Sequence, residues 1–227
     1  MKQTIPRNSA HKAKIFMVDD HPIVRRGLQF LLNLEPNMVV CGEAESGPEA
    51  LSKIQATQPD VAIVDLSLKG GSGLDLIRNL RSQCPKVKLL VFSMHDEAFY
   101  AQRVLRLGAH GYITKEDGTE KAVEAIRLVL QGKRYVSQAV AARILDGLAG
   151  PAAGGESPSV ESLSDRELEV LQLIGSGLGT RTISERLGLS IKTIESYREN
   201  IKAKLGLSGA AELTSYAFNW VNRGKSA

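Results

Sequence analysis

From Lys14 to Gly132 the chain alternates short apolar runs with amphipathic stretches, and no other feature constrains its fold so strongly. The apolar runs are Ile15 to Val18, Met38 to Cys41, Val61 to Val64, Val87 to Phe92, and Tyr112 to Ile113. Val61-Ala62-Ile63-Val64 is apolar at every position, which fits a strand buried on both faces, as in a parallel sheet. Helical spacing follows each run. Ile23, Leu28, Leu31 and Leu32 share the apolar side of a helix ending before Pro36, and Leu51 and Ile54 belong to one starting near Pro48. Leu74, Ile77 and Leu80 mark a third, Val104 and Leu107 a fourth that stops at Gly108, and Val123, Ile126 and Leu130 a fifth before Gly132. Five strand–helix rounds predict a doubly wound α/β domain with a five-stranded parallel sheet.

Ligands of open α/β sheets gather outside the carboxyl ends of the strands, where strand order reverses. The residues expected there are polar: Asp19-Asp20 after the first run, Asp65 after the third, Ser93 after the fourth, and Thr114-Lys115 after the fifth. Carboxylates collected at one sheet edge repel one another, so a divalent cation with oxygen ligands, magnesium, is expected among them. Beside a cation the Asp65 carboxylate can attack phosphorus and form an acyl phosphate. Lys115 would then neutralise a phosphoryl oxygen and Ser93 donate a hydrogen bond to another.

Beyond Gly132, Val140, Ile144 and Leu148 form an i, i+4, i+8 stripe that predicts a short helix. The small residues, glycines and prolines of 149–159 then make a linker containing the domain boundary. The chain has 227 residues, enough for two ordinary domains. The expected domains are 14–132 and 163–227, with a helical connector and linker at 133–162.

In the second half, Ser164-Asp165-Arg166-Glu167 is a capping box opening a helix through Leu168, Leu171 and Ile174, closed by Gly175 and Gly177. Thr180 is expected to cap a second helix with Ile183 and Leu187, and Gly188-Leu189-Ser190 turns into a third from Ile191 to Leu205. Ser208 is expected to cap a fourth carrying Leu213, Ala217 and Trp220. Two short helices about a tight turn predict a helix-turn-helix; a bundle for protein contact is the alternative.

At about 100° per residue, Ile194, Ile201 and Leu205 face the core and Lys192, Ser196, Glu199, Asn200 and Ala203 face away, flanked by Thr193, Glu195, Lys202 and Lys204. In a major groove Asn200 would pair with adenine and Lys192 with guanine, while Glu195 or Glu199 accepts from cytosine. Thr180 joins these DNA-contact candidates. Acids near phosphates weaken non-specific binding, so dimerisation is expected for useful affinity.

The net charge of +4 is only a mild lean toward nucleic acid. No apolar run approaches a bilayer span, and the basic N-terminal tail has no signal-peptide core, so a soluble cytoplasmic protein without a membrane partner is expected. Cys41 and Cys84 are expected as buried thiols.

Val18-Asp19-Asp20-His21-Pro22, Val64-Asp65-Leu66-Ser67-Leu68, Phe92-Ser93-Met94-His95-Asp96 and Gly111-Tyr112-Ile113-Thr114-Lys115 resemble the receiver domain of two-component response regulators, the NarL/FixJ subfamily in particular. Leu163 to Leu171 with Lys192-Thr193-Ile194-Glu195-Ser196-Tyr197-Arg198 is similar to the LuxR-type helix-turn-helix. The resemblance implies a flavodoxin-like receiver followed by a small all-α DNA-binding domain. By it, Asp65 is phosphorylated by a partner histidine kinase, Asp19, Asp20, Asp65 and the backbone of Ser67 hold Mg2+, and Ser93 and Tyr112 form a switch pair. It further implies a phosphorylated homodimer on double-stranded DNA, with RNA polymerase as a candidate partner.

Ser-Leu-Lys-Gly-Gly stands after Asp65 where many receivers have Met-Pro, Glu116 where many have proline, and Tyr197 where histidine is common. Two rivals remain: a regulator of the same domains gated without phosphorylation, and a magnesium-dependent phosphatase using Asp65. The latter wants an acid/base carboxylate two residues on, and position 67 is serine. The expected protein is therefore a transcription regulator and not an enzyme.

Overall fold

A computed structural model describes residues 12–148 and 159–222. The first half contains β1 (Ala13–Val18), α1 (Pro22–Leu34), β2 (Met38–Ala44), α2 (Gly47–Thr57), β3 (Val61–Val64), β4 (Ser67–Leu68), β5 (Gly71–Ser72), α3 (Gly73–Gln83), β6 (Lys88–Ser93), α4 (Glu97–Arg106), β7 (Gly111–Thr114) and α5 (Thr119–Leu130). Then come α6 (Gln138–Leu148), α7 (Asp165–Gly175), α8 (Thr180–Leu187), α9 (Ile191–Leu205) and α10 (Ala210–Asn222). The main sheet has order β2-β1-β3-β6-β7, and its strand pairs are all parallel. Its order reverses between β1 and β3.

Alternate residues of each strand feed opposite faces even where the run is wholly apolar. Ile15, Met17, Ile63 and Phe92 pack beneath α1 and α5 with Leu28, Leu32 and Ile126. Phe16, Val18, Val64 and Val91 pack on the other face with Ile54, Ile77 and Val104. That second cluster continues into the C-terminal helices through Val160, Leu163, Leu168 and Trp220.

Four expectations are corrected. Ile23 is 85% exposed, because five residues turn a helix about 500°, which sets it some 140° away from Leu28. Gly179, not Thr180, is the N-cap of α8, with Thr180 as its first helical residue. α10 starts at Ala210, and Leu213 N–H donates to the Gly209 carbonyl, so Ser208 lies before the cap; its own N–H donates to Glu212 at 2.7 Å. Cys84 is buried but Cys41 only half so, and burial pushes both thiols up. The linker boundary expected in 149–159 falls almost wholly outside the described residues, as does the Leu148 side chain.

One small element escaped prediction. β4 and β5 form an antiparallel hairpin directly after Asp65, and Ser72 caps α3 by accepting from Leu74 N–H at 3.2 Å. Gly73 begins that helix against the strand end, where any Cβ would collide with the Asp65 carbonyl oxygen. Among the described residues no helix is long and apolar enough to cross a membrane.

Candidate functional site

β1 and β3 run side by side with Val18 opposite Val64, so the residues after them emerge together at the point of order reversal. Asp65 N–H donates to the Val18 carbonyl at 2.8 Å, and Asp19 N–H to the Ala44 carbonyl at 3.1 Å. Asp19 and Asp65 are buried, at 4% and 2% exposure. Asp19, Asp20, His21 and Asp65 each offer a ligand atom, all within 4.8 Å of one another.

Lys115, delivered by β7, bridges the two buried carboxylates, with Nζ 2.7 Å from Asp19 and 2.6 Å from Asp65. Ser93 Oγ donates to Asp65 Oδ1 at 2.8 Å, and Ser67 N–H approaches the same oxygen at 3.3 Å. Sequence reasoning thus named the side chains that converge on Asp65. It missed Arg25, a buried cation of α1 that donates to the Asp19 carbonyl at 2.6 Å and to Glu45 at 2.8 Å. Its only signal was a cation at i+6 from the acidic pair, which periodicity assigns to no role.

One ammonium does not balance three carboxylates. Burial and the neighbouring Asp65 hold the Asp19 carboxyl above its ordinary value, although Lys115 pulls it down. Burial alone would lower Lys115, but Asp65 and Asp19 more than offset it and raise its pKa. Asp20 Oδ1 is buried and closes no hydrogen bond, though His21 Nδ1 lies 2.7 Å away. An under-neutralised oxygen cluster with an unsatisfied buried oxygen fits a hard divalent cation.

Tyr112 is fully buried, and its hydroxyl donates to the His95 carbonyl at 2.8 Å. The His95 imidazole meets Ser67 Oγ at 3.0 Å through Nε2 and packs on Tyr100 at 4.6 Å between centroids. Burial drives this histidine well below the usual imidazole range, to about 4.

In the C-terminal half the capping box forms as expected: Ser164 Oγ accepts from Glu167 N–H at 3.3 Å, and Ser164 N–H donates to Glu167 at 2.7 Å. Ile183, Ile194, Ile201, Leu205, Leu213 and Trp220 are buried, and Ser190 caps α9. The outward face of α9 is open: Lys192, Glu195, Ser196, Glu199, Asn200 and Ala203 are all exposed. Thr193 and Thr180 are half-buried. Lys202 pairs with Glu199 at 2.8 Å, whereas Lys204 turns back to Glu167 at 2.6 Å and is occupied inside its own domain.

The halves are docked. Asp165 takes Arg78 and Arg103, each at 3.2 Å, and Arg166 pairs with Asp75. Arg103 also donates to the Val160 carbonyl at 3.3 Å, and Phe99 meets Trp220 edge-on at 5.1 Å. The seam covers α7, α8 and the end of α10 while leaving the outward face of α9 free.

Residues 15–127 match the response regulator receiver domain, and residues 161–217 match the bacterial regulatory proteins of the luxR family. The chain belongs to the two-component response regulators that join a receiver to a LuxR-type DNA-binding domain, and it is a transcription regulator. It is 38% identical over 208 residues to the oxygen regulatory protein NreC of Staphylococcus carnosus, covering 90% of this chain and 96% of that one. The RcsB response regulator of Salmonella typhimurium superposes with a TM-score of 0.71 at 26% identity, over 92% of this chain and 98% of that chain. RcsB bound to promoter P1flhDC in the presence of the phosphomimetic BeF3- gives 0.67 at 28% identity, over 91% and 98%.

Proposed function

We propose that Asp65 is the phosphoacceptor, that a histidine kinase is its donor, and that its phosphorylation governs dimerisation and sequence-specific DNA binding through α9. The observation that carries this is the placement of one buried carboxylate between Lys115 Nζ and Ser93 Oγ, beside the Asp19 and Asp20 oxygens. Asp65 supplies the attacking oxygen: its bond to phosphorus forms as the phosphorus–nitrogen bond of the donor phosphohistidine breaks, and the departing imidazole regains a proton. Lys115 leaves its carboxylate partners to pair with a phosphoryl oxygen, and Ser93 turns its hydroxyl to another. Asp19, Asp20, Asp65 and the Ser67 carbonyl would hold Mg2+, which would supply neutralisation of the negative charge gathered at the pocket. Tyr112 is the switch partner of Ser93, with the ring already turned inward and the hydroxyl on the His95 carbonyl.

The receiver is assigned to 14–132, the connector to 133–162 and the output domain to 163–227. On α9, Asn200, Lys192, Ser196 and the two glutamates read base edges, while Thr180, Thr193 and Lys202 meet the backbone. Lys204 serves phosphates only if it releases Glu167. Two copies on one operator supply the affinity that a single mixed-charge helix lacks, and such a protein works in the cytoplasm, where the DNA is.

Incubation with acetyl phosphate and Mg2+, followed by mass measurement, tests the assignment. The wild type is expected to gain one phosphoryl group that requires Mg2+, and Asp65→Asn none. Equal labelling of both proteins would overturn it.

A further inference from the structure

Asp19 is where the chain leaves β1 and turns toward α1. Its N–H donates to the Ala44 carbonyl at 3.1 Å, and its Oδ1 accepts from His21 N–H at 2.8 Å. Among the described residues no backbone N–H reaches its carbonyl oxygen; Arg25 does so instead, with Nη1 at 2.6 Å. The Arg25 side chain is buried, and its other nitrogens go to the end of β2: Nε to Glu43 at 3.2 Å and Nη2 to Glu45 at 2.8 Å. Glu45 is tied in turn to Lys69, in the turn of the hairpin after Asp65, at 3.1 Å. The Asp19 carbonyl and the Asp20 N–H belong to one planar peptide unit, so holding that oxygen fixes the direction in which Asp20 leaves the strand. Asp20 carries the buried Oδ1 that closes no hydrogen bond.

We propose that Arg25 is a positioning residue of the cation site: by clamping the peptide between Asp19 and Asp20 it holds both carboxylates ready for a divalent cation, and so sets the affinity of the pocket for that cation. It acts through the backbone of the acidic pair, and Glu43 and Glu45 orient its fork from outside the pocket. Without the clamp, like-charged carboxylates are free to swing apart toward water, and a cation that draws them back loses affinity in doing so. Groups one step removed from a metal ion typically contribute about 10–100-fold to its binding. Charge alone argues the other way. A guanidinium near a cation site repels the cation, so removing it would tighten binding if that repulsion decided the outcome. This rests on the reading of the pocket as the Mg2+ site.

Calorimetric titration of the full-length chain with Mg2+ alone, without a phosphodonor, separates the two signs. Arg25→Met keeps the apolar stem of the side chain and is expected to weaken Mg2+ binding about tenfold. Arg25→Lys returns the charge and one donor for the Asp19 carbonyl, and is expected to recover part of that loss, binding about threefold more weakly than wild type. A chain that is merely misfolded in part shows fewer sites and not weaker ones, so the dissociation constant reads positioning and the stoichiometry reads folding. A dissociation constant equal to or below that of the wild type in Arg25→Met, or in Arg25→Lys should the methionine variant not fold, would overturn the proposal and leave the cation site in place. Failure of the wild type itself to bind Mg2+ would instead remove that site, and the role of Arg25 with it.

Discussion

Lys115 answers two buried carboxylates at once, and with its side chain 7% exposed it has no solvent to replace them. Lys115→Met leaves Asp19 and Asp65 facing each other uncompensated, so a loss of about 3 kcal/mol in urea unfolding of the receiver is expected without Mg2+. An unchanged midpoint would contradict that electrostatic account. Glu167 gives a second residue-level prediction. Burial alone would raise its carboxyl, but Lys204 and Ser164 more than offset this and hold it below the ordinary value. Its stabilisation is therefore complete above the ordinary carboxylate range and is lost as pH falls through its folded value. Glu167→Gln should destabilise the output domain by about 1 kcal/mol at pH 7, and the difference from wild type should vanish in acid, as thermal melts at both pH values would show.

At the scale of elements, α9 carries both attraction and repulsion. Asn200→Ala is expected to cost about 1–3 kcal/mol at operator sites and to relax discrimination at one base pair. Glu195→Gln with Glu199→Gln should strengthen binding to random DNA more than to the operator, in filter binding at fixed salt. Equal gains on both DNAs would mean the glutamates add no selectivity. Much of this level was legible in the sequence. Strand ends were visible because a polar residue follows the first, third, fourth and fifth apolar runs, so Asp19, Asp65, Ser93 and Lys115 could be placed before any coordinates. The α9 face followed from its strict spacing. Caps were less legible: Thr180 and Ser208 have the right side chains, but glycines one residue away hold the cap positions of α8 and α10. The β4–β5 hairpin, with two residues per strand, is too short to show periodicity. Arg25 and His95 act across the fold, through neighbours 17 to 28 residues distant, and local pattern does not encode such partners.

At the scale of the molecule, the seam is built from contacts weak enough to switch. Asp165 and Arg78 are partly exposed, and such pairs contribute about 0–1 kcal/mol each and weaken with salt. Phe99 against Trp220 adds apolar contact that salt does not screen. Arg103→Ala removes an ion pair and carbonyl bonds together, and should make Trp220 more accessible to iodide quenching without lowering the receiver's unfolding midpoint. The outward face of α9 stays open in the docked form, so the step that we propose docking restrains is the pairing of two chains on DNA and not the reach of one reading helix. The central claim is that Asp65 controls this step, and its most direct measurement is operator affinity at one salt concentration, with and without acetyl phosphate and Mg2+, for wild type and Asp65→Asn. The account predicts a gain of about tenfold or more for the wild type alone, with a shift to dimer. The same affinity in all four conditions would contradict it.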